Sequence, residues 1–231
     1  MKNTSETTAD LCPAAKAPAK PRGRPLSFDR DNALEQAMHV FWERGYEAAS
    51  ISDLTSAMGI TPPSLYTAFG DKEKLFLEAI ERYALGPGSA GPRALKEEPT
   101  ARAAIERWLH EAADELTRPC HPKGCMVVMA TTNCSVAAEH VQTALTRRRA
   151  AAIANIRERI QDGIDKGELP AETDAKALSN FYSTIYQGMS MQAKDGATRA
   201  SLMATVDAAM RAWPAAAPKA TKRSVAPSAR R

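Results

Sequence analysis

The side chains in this sequence that are best suited to a chemical role are small hydroxyl and proline residues following a glycine turn. They are Thr61, Pro62, Pro63, Ser64 and Thr67. Hydroxyl groups can make single hydrogen bonds to phosphates and base edges, whereas a bidentate contact to a purine needs Arg, Lys, Asn or Gln. This set therefore indicates a surface that reads DNA through hydroxyl contacts, thymine methyl groups and DNA shape.

Two short helices joined by a glycine are predicted to position these residues. Ser50 and Asp53 form a capping box at the start of the first helix, and Gly59 ends that helix in the left-handed conformation. Thr61 caps the second helix, whose first turn tolerates the two prolines because their missing N–H groups have no helical partner. The pattern predicts a helix-turn-helix with residues 61–69 as the recognition helix.

The direction of each side chain on the recognition helix follows from its spacing. Leu65 and Phe69 lie four residues apart and are expected to face inward, so Tyr66 faces outward. An ordinary helical hairpin is the alternative for the whole segment, and a half-buried core aromatic is the alternative for Tyr66. The Gly-Asp-Lys-Glu restart at residues 70–73, together with the proline-rich helix start, favours DNA binding.

Phosphate contacts are expected at both ends of the helix-turn-helix. Tyr66 can donate its hydroxyl, and Lys72 lies in the first turn of the next predicted helix, where backbone N–H groups also favour an anion. Ser50 and Ser52, at the start of the preceding helix, can contribute in the same way. These four side chains complete the predicted DNA-contacting set of the head.

These residues closely resemble the TetR/AcrR family of bacterial transcriptional regulators. The resemblance runs from Gly23 to Tyr83 and keeps the family's order through Met58-Gly59-Ile60, Ser64-Leu65-Tyr66 and Asp71-Lys72-Glu73. It implies an all-α protein of about nine helices with a three-helix DNA-binding head and a helical effector and dimerisation domain. It also implies a homodimer formed through the last two helices, a palindromic double-stranded DNA operator and release by a small-molecule effector.

The charge distribution divides the chain into four segments. We expect a basic disordered arm at 1–25, a DNA-binding head at 26–84, a ligand-binding and dimerisation domain at 85–213 and a disordered basic tail at 214–231. Their net charges are +3, −5, +1 and +5. Because affinity for DNA grows with the number of phosphates neutralised, an acidic head must use a few well-placed groups or help from the arms.

The basic arm contains a short motif of its own, Pro21-Arg22-Gly23-Arg24-Pro25. It resembles the core of an AT-hook, in which an extended chain lies in a narrow minor groove. Proline and glycine keep such a chain thin, and Arg22 and Arg24 can enter the enhanced negative potential of an A·T-rich groove. A disordered basic linker without DNA contact is the alternative.

The chain after the head shows helical periodicity in several segments. Residues 86–99 are rich in glycine and proline and predict a loop, and the apolar run at 125–134 fits either a strand or a buried helix. The family resemblance favours the helix. The remaining predicted helices span 99–118, 135–166, 174–194 and 197–213.

An effector pocket is implied by the resemblance, and its candidate lining mixes aromatic, polar and sulfur-containing side chains. The candidates are Trp108, Cys125, Met126, Met129, Asn133, Phe181, Tyr182 and Tyr186. Ordinary burial in the core is the alternative for each of them.

Cys125 supports a separate hypothesis of electrophile or oxidant sensing. It follows Gly124 at a predicted helix N-terminus, near Lys123 and His121, and such surroundings make a thiol reactive. A buried unreactive cysteine is the alternative. The four cysteines match no common zinc spacing, so we expect free thiols and no metal or other cofactor.

The sequence also limits the classes of function. It contains no catalytic constellation, phosphate loop or apolar run of about 20 residues that could span a membrane, so we expect a cytoplasmic transcriptional repressor that is not an enzyme. An effector-independent architectural DNA-binding protein is the first alternative, favoured by the basic arms. A helical enzyme or carrier with a vestigial head is the second.

Overall fold

A computed structural model describes residues 28–130 and 138–215, and every regular element in these ranges is helical. The predicted all-α class is confirmed, with ten α-helices and one 3-10 turn at Pro87–Ser89 within the described ranges. The arm with Arg22 and Arg24, Asn133 and most of the C-terminal tail lie outside them. The α-helices are α1 Arg30–Ala48, α2 Ile51–Met58, α3 Pro62–Phe69, α4 Lys72–Leu85, α5 Ala90–Glu97, α6 Ala101–Leu116, α7 Met126–Met129, α8 Glu139–Asp165, α9 Ala175–Lys194 and α10 Arg199–Met210.

The helix ends of the head follow the local chemistry. The Ser50 hydroxyl accepts the Asp53 N–H at 3.0 Å, and the Asp53 carboxylate accepts the Ser50 N–H at 3.0 Å, which confirms the capping box. Gly59 ends α2 with a φ of 66°, and Thr61 accepts the Ser64 N–H at the start of α3. The turn between α2 and α3 is therefore fixed by residues within a few positions of it.

The core of the head joins α1, α3 and α4. Phe41 of α1 meets Phe76 of α4 edge to face, with ring centroids 5.0 Å apart. Leu65 is fully buried and Phe69 nearly so, as their spacing predicts. Arg30 lies 4.3 Å from the Phe69 ring centroid and donates to the Ala68 carbonyl oxygen, so it holds the end of α3 against α1.

The prediction of a loop at residues 86–99 is wrong, because Ala90–Glu97 forms α5. Pro92 lies in the first turn of this helix, where a proline removes no helical hydrogen bond. Ala94 is fully buried and Leu95 packs against the core, so contact with the rest of the protein stabilises a segment whose composition favours a turn.

The second part of the molecule is built around α8 and its contacts with α6 and α9. Gly163 of α8 allows a close approach to α6, since a Cβ there would lie 2.7 Å from the Ala101 Cβ. Glu168 accepts the Ala101 N–H at 2.7 Å and so caps α6 from the chain that follows α8. Among the described helices, none has the combination of length and apolar character that crossing a membrane requires.

Polar contacts from α1 and α4 attach the head to the second part. The Trp42 indole N–H donates to the Gly124 carbonyl oxygen at 2.9 Å in a buried position. Lys194 pairs with Glu43 at 3.0 Å, linking α9 to α1. Arg148 of α8 pairs with Glu81 of α4 and also donates to the Ile80 carbonyl oxygen. Helices α1 and α4 of the head are thus both attached to the elements behind them.

Candidate functional site

The surface of α3 presents the polar residues that the sequence singled out. Thr61, Pro62, Pro63 and Thr67 are exposed, and Ser64 is half-buried. Tyr66 is 49% exposed, so its hydroxyl is accessible from outside the protein. The structure therefore places the predicted base-reading and phosphate-contacting side chains of this helix on one accessible face.

The hydroxyl groups of α3 already have partners within the helix. The Thr61 and Ser64 hydroxyls lie 3.0 Å apart, and the Thr67 hydroxyl donates to the Pro63 carbonyl oxygen at 2.8 Å. A hydroxyl can accept a further hydrogen bond while it donates one. These intrahelical bonds orient the hydroxyls and leave them able to accept from base amino groups.

Lys72 lies at the edge of this surface and is tied to α1. Its ammonium donates to the Glu47 carbonyl oxygen at 3.3 Å and lies 4.6 Å from the Tyr46 ring centroid. Partial burial lowers the pKa of Lys72, and the nearby Glu47 opposes this. A phosphate at this edge would therefore share an ammonium group that already has two partners inside the head.

One basic residue that was not predicted lies beside the start of α2. Arg44 of α1 lies 2.6 Å from Asp53, with about half of its side chain exposed. Hydrogen bonds from the Ser50 hydroxyl and backbone N–H, followed by that from Arg44, lower the pKa of Asp53 to about 2. Ser50 is therefore engaged in the cap, whereas Ser52 is exposed. No local pattern marks Arg44, because folding of α1 across α2 brings it here.

Behind the head lies a cavity of about 580 Å³ between α4, α6, α8 and α9. Three of the predicted lining residues, Trp108, Cys125 and Tyr186, do line it. The structure adds lining residues that were not predicted, because the rotation of each helix in the fold decides which side chains reach the cavity. Examples are Tyr83, Val127, Val128, Arg148, Ser183 and Gln187.

Four predicted pocket residues do not line the cavity, because the rotation of their helices points these side chains in other directions. The cavity face of α9 carries Ser183, Tyr186 and Gln187, so Phe181 and Tyr182 point in other directions. Phe181 is 39% exposed, and the Tyr182 hydroxyl donates to the Ala209 carbonyl oxygen of α10. On the short helix α7, Val127 and Val128 face the cavity, which turns Met126 and Met129 away from it.

Two family models match the chain. "Bacterial regulatory proteins, tetR family" covers residues 33–79, and "Tetracyclin repressor-like, C-terminal domain" covers residues 99–216. The chain belongs to the TetR family. The second model alone spans about half of the sequence, and the first coincides with the helix-turn-helix.

Relatives and solved structures of the TetR family agree with this assignment. The chain is 34% identical over 197 residues to the HTH-type transcriptional repressor ComR of Escherichia coli (strain K12), covering 84% of this chain and 93% of ComR. It is 28% identical over 183 residues to the repressor BdcR of the same organism, covering 79% and 88% of the two chains. A cysteine mutant of the regulator CifR, solved in complex with 26-bp double-strand operator DNA, is 46% identical. That structure has a TM-score of 0.80 and covers 83% of this chain and 100% of its own. The prediction of a DNA-binding transcriptional repressor is thereby confirmed.

The cysteines of this TetR-family chain differ in state. Cys125 is a free, buried thiol at the N-terminal cap of α7. Cys120 is disulfide-bonded, so the expectation of free thiols is wrong for that residue. The two residues expected to activate Cys125 have other partners. Lys123 donates to the Thr117 and Arg118 carbonyl oxygens.

His121, the second of those residues, lies between the head and the cavity. Its ring stacks on Trp42 with centroids 4.4 Å apart, and its Nε2 lies 2.8 Å from Glu115. Burial raises the pKa of Glu115, but the hydrogen bond with His121 and the charge of Arg118 together lower it by more. The net effect is a lowered pKa. The turn before α7 thus connects α1 of the head to α6 and the cavity wall.

Proposed function

We propose that this TetR-family repressor leaves a palindromic operator when a small molecule occupies the cavity between α4 and α9. One observation carries the proposal: Tyr83 forms part of the cavity wall and belongs to α4, the helix that begins at Lys72 beside the recognition helix. A ligand shifts a conformational equilibrium only if it binds the two states unequally. A ligand in contact with Tyr83 meets this condition when α4 moves between the DNA-bound and released states.

Contacts between the head and the cavity wall couple a movement of the wall to α1 and α4. Arg148, which lines the cavity, holds Glu81 near the end of α4. Trp42 of α1 holds the carbonyl of Gly124, the residue before Cys125 in the cavity wall. Displacing the cavity wall therefore acts on both long helices of the head, and the recognition helix follows through the short connection at Gly70.

A homodimer would present two recognition helices to successive major grooves, about 34 Å or a multiple of it apart. Supporting this, α9 carries an exposed stripe at alternating four- and three-residue spacing, which suits packing against a second helix. Its members are Ala177, Phe181, Thr184, Gly188 and Met191. We propose that this stripe and α10 form the two-fold interface.

The DNA-contacting set proposed for each subunit combines the exposed face of α3 with its neighbours. Tyr66, Lys72, Ser52 and Arg44 supply phosphate contacts, and Arg22 and Arg24 add minor-groove contacts from the arm. This division explains how a head with a net charge of −5 can bind DNA, because only a few groups meet the phosphates.

The test of the proposed function is a footprint on the intergenic DNA beside the gene, followed by a ligand screen. We expect protection of one short near-palindrome, and we expect compounds that raise the melting temperature of the free protein to release it from that site. Protection that spreads along A·T-rich DNA, unaffected by such compounds, would instead support the architectural alternative. Stoichiometric binding of these compounds without salt-dependent DNA binding would support a carrier.

A second candidate function is release from the operator through chemical modification of a thiol, and the position of Cys125 favours it. This free thiol lines the cavity, so a covalent modification there would occupy the same space as a bound ligand. The solved structures of the related CifR include cysteine mutants bound to operator DNA. In this version, modification of Cys125 causes release from the operator.

A further inference from the structure

Three reactive side chains from three separate elements meet at the wall of the cavity. Tyr83 comes from α4, Cys125 from the cap of α7 and Tyr186 from α9. All three line the same cavity, so a thiol and two phenolic O–H groups face one space. Interaction with Cys125 contributes to the raised pKa of both tyrosine hydroxyls, in agreement with this shared position.

A second, independent observation is a buried hydroxyl in the cavity wall that has no hydrogen-bond partner among the described residues. Ser183 lies one turn before Tyr186 on α9 and also lines the cavity. It is 5% exposed, and its hydroxyl has no hydrogen-bond partner among the described residues. Because a buried hydroxyl without a partner destabilises the protein, a polar atom of a ligand is the natural partner for it.

The two tyrosines act as donors throughout the physiological pH range. Burial, reinforced by the neighbouring Cys125, raises the pKa of both hydroxyls well above the usual range of tyrosine. Their O–H groups therefore remain protonated, and each supplies one hydrogen to an acceptor. An oxygen that gains negative charge beside the sulfur would be stabilised by such preorganised donors.

Much of the cavity wall around these groups is apolar. Side chains such as Val128, Ala152 and Ile153 face it, and its volume of about 580 Å³ admits a small molecule. An oxidant such as a peroxide would need neither the apolar wall nor the spare hydroxyl of Ser183. A small, largely apolar electrophile with a carbonyl oxygen uses the thiol, the hydroxyl donors and the apolar wall together.

We propose that Cys125, Tyr83 and Tyr186 form a covalent receptor site for small α,β-unsaturated carbonyl compounds. The Cys125 sulfur attacks the β-carbon and forms a sulfur–carbon bond, while the carbon–carbon π pair moves toward the carbonyl to give an enolate. Tyr186 and Tyr83 donate hydrogen bonds to the enolate oxygen, and Ser183 hydrogen-bonds to the same end of the ligand. The proton lost by the thiol returns to the α-carbon, so the adduct contains every atom of both reactants and nothing is oxidised.

This proposal rests on the thiol-responsive form of the proposed function, and methyl vinyl ketone is the probe for it. Intact mass spectrometry of the full chain is expected to show one rapid addition that is absent from Cys125→Ser. Tyr186→Phe and Tyr83→Phe keep the rings and lose the donors, so each should slow this addition by roughly a hundredfold. A disulfide reagent without oxygen, 2,2′-dithiodipyridine, should modify both variants about as fast as the parent chain.

Tyr182→Phe is the matched control, since it removes a buried hydroxyl from α9 that bonds to Ala209 and does not line the cavity. It should react with both reagents like the parent chain. Equal slowing with both reagents in Tyr186→Phe and Tyr83→Phe would overturn the proposal, as would unchanged rates or equal addition to Cys125→Ser. An adduct that forms as expected but stays on the operator would support the site and contradict the proposed function.

Discussion

Replacing Tyr66 with alanine is expected to weaken operator binding by about a hundredfold or more. A hydrogen bond to a charged group contributes about 1.5–3 kcal/mol, which is roughly 10- to 100-fold per recognition helix. The two subunits of the proposed dimer each lose this contact, so the losses multiply. Folding should hardly change, because the side chain is 49% exposed. Fluorescence anisotropy with the footprinted operator at one fixed salt concentration measures the effect.

Two further variants separate the parts of this effect. Tyr66→Phe removes only the hydroxyl and should account for most of the loss if a phosphate accepts from it. Leu85→Ala is the matched control, because Leu85 is another large exposed side chain, 84% exposed, at the end of α4 far from the recognition helix. It should bind normally. If Tyr66→Ala bound within about threefold of the parent chain, Tyr66 would not be a DNA contact.

Replacing Gly124 with alanine is expected to destabilise the fold by about 3 kcal/mol, from positive-φ strain and overpacking together. Gly124 has a φ of +81°, and a Cβ there would lie 2.9 Å from the Ser190 carbonyl oxygen. Its own carbonyl accepts the buried indole N–H of Trp42, so the residue has little freedom to move away. Urea unfolding at one fixed protein concentration measures the change, since dimer stability depends on concentration.

Gly196 provides the control that distinguishes backbone strain from the clash. Its φ is +96°, but a Cβ there would meet nothing within 4 Å. Gly196→Ala should therefore cost only the strain of about 1–2 kcal/mol. Equal losses in the two variants would show that Ser190 moves aside without cost and that the turn before α7 is not a rigid joint.

The head was predictable because its signals are local. A capping box, a left-handed glycine and a threonine cap each act over three or four residues, and their chemistry is nearly the same wherever the chain goes next. Ser50, Gly59 and Thr61 accordingly occupy the predicted roles. The outward direction of Tyr66 followed from the four-residue spacing of Leu65 and Phe69, which needs only the helical period.

The segment after the head was misjudged because its local signals point the wrong way. Glycine and proline between residues 86 and 99 favour a turn, yet packing of α5 against α6, with Ala94 fully buried, outweighs that preference. The stabilising contact comes from a helix that begins only at Ala101, and no short-range pattern encodes it. Tertiary packing commonly overrides weak propensities in this way.

The class of the protein, the helix-turn-helix and the outward direction of the side chains on its recognition helix could be read from the sequence alone. These depend on caps, turns and helical period, which operate within a few residues. The cavity could not be read in this way, because its wall depends on how each helix is rotated against the others in the folded protein. Tertiary packing turned Tyr182 toward α10, and it brought Tyr83, Cys125 and Tyr186 to one cavity from three separate parts of the chain.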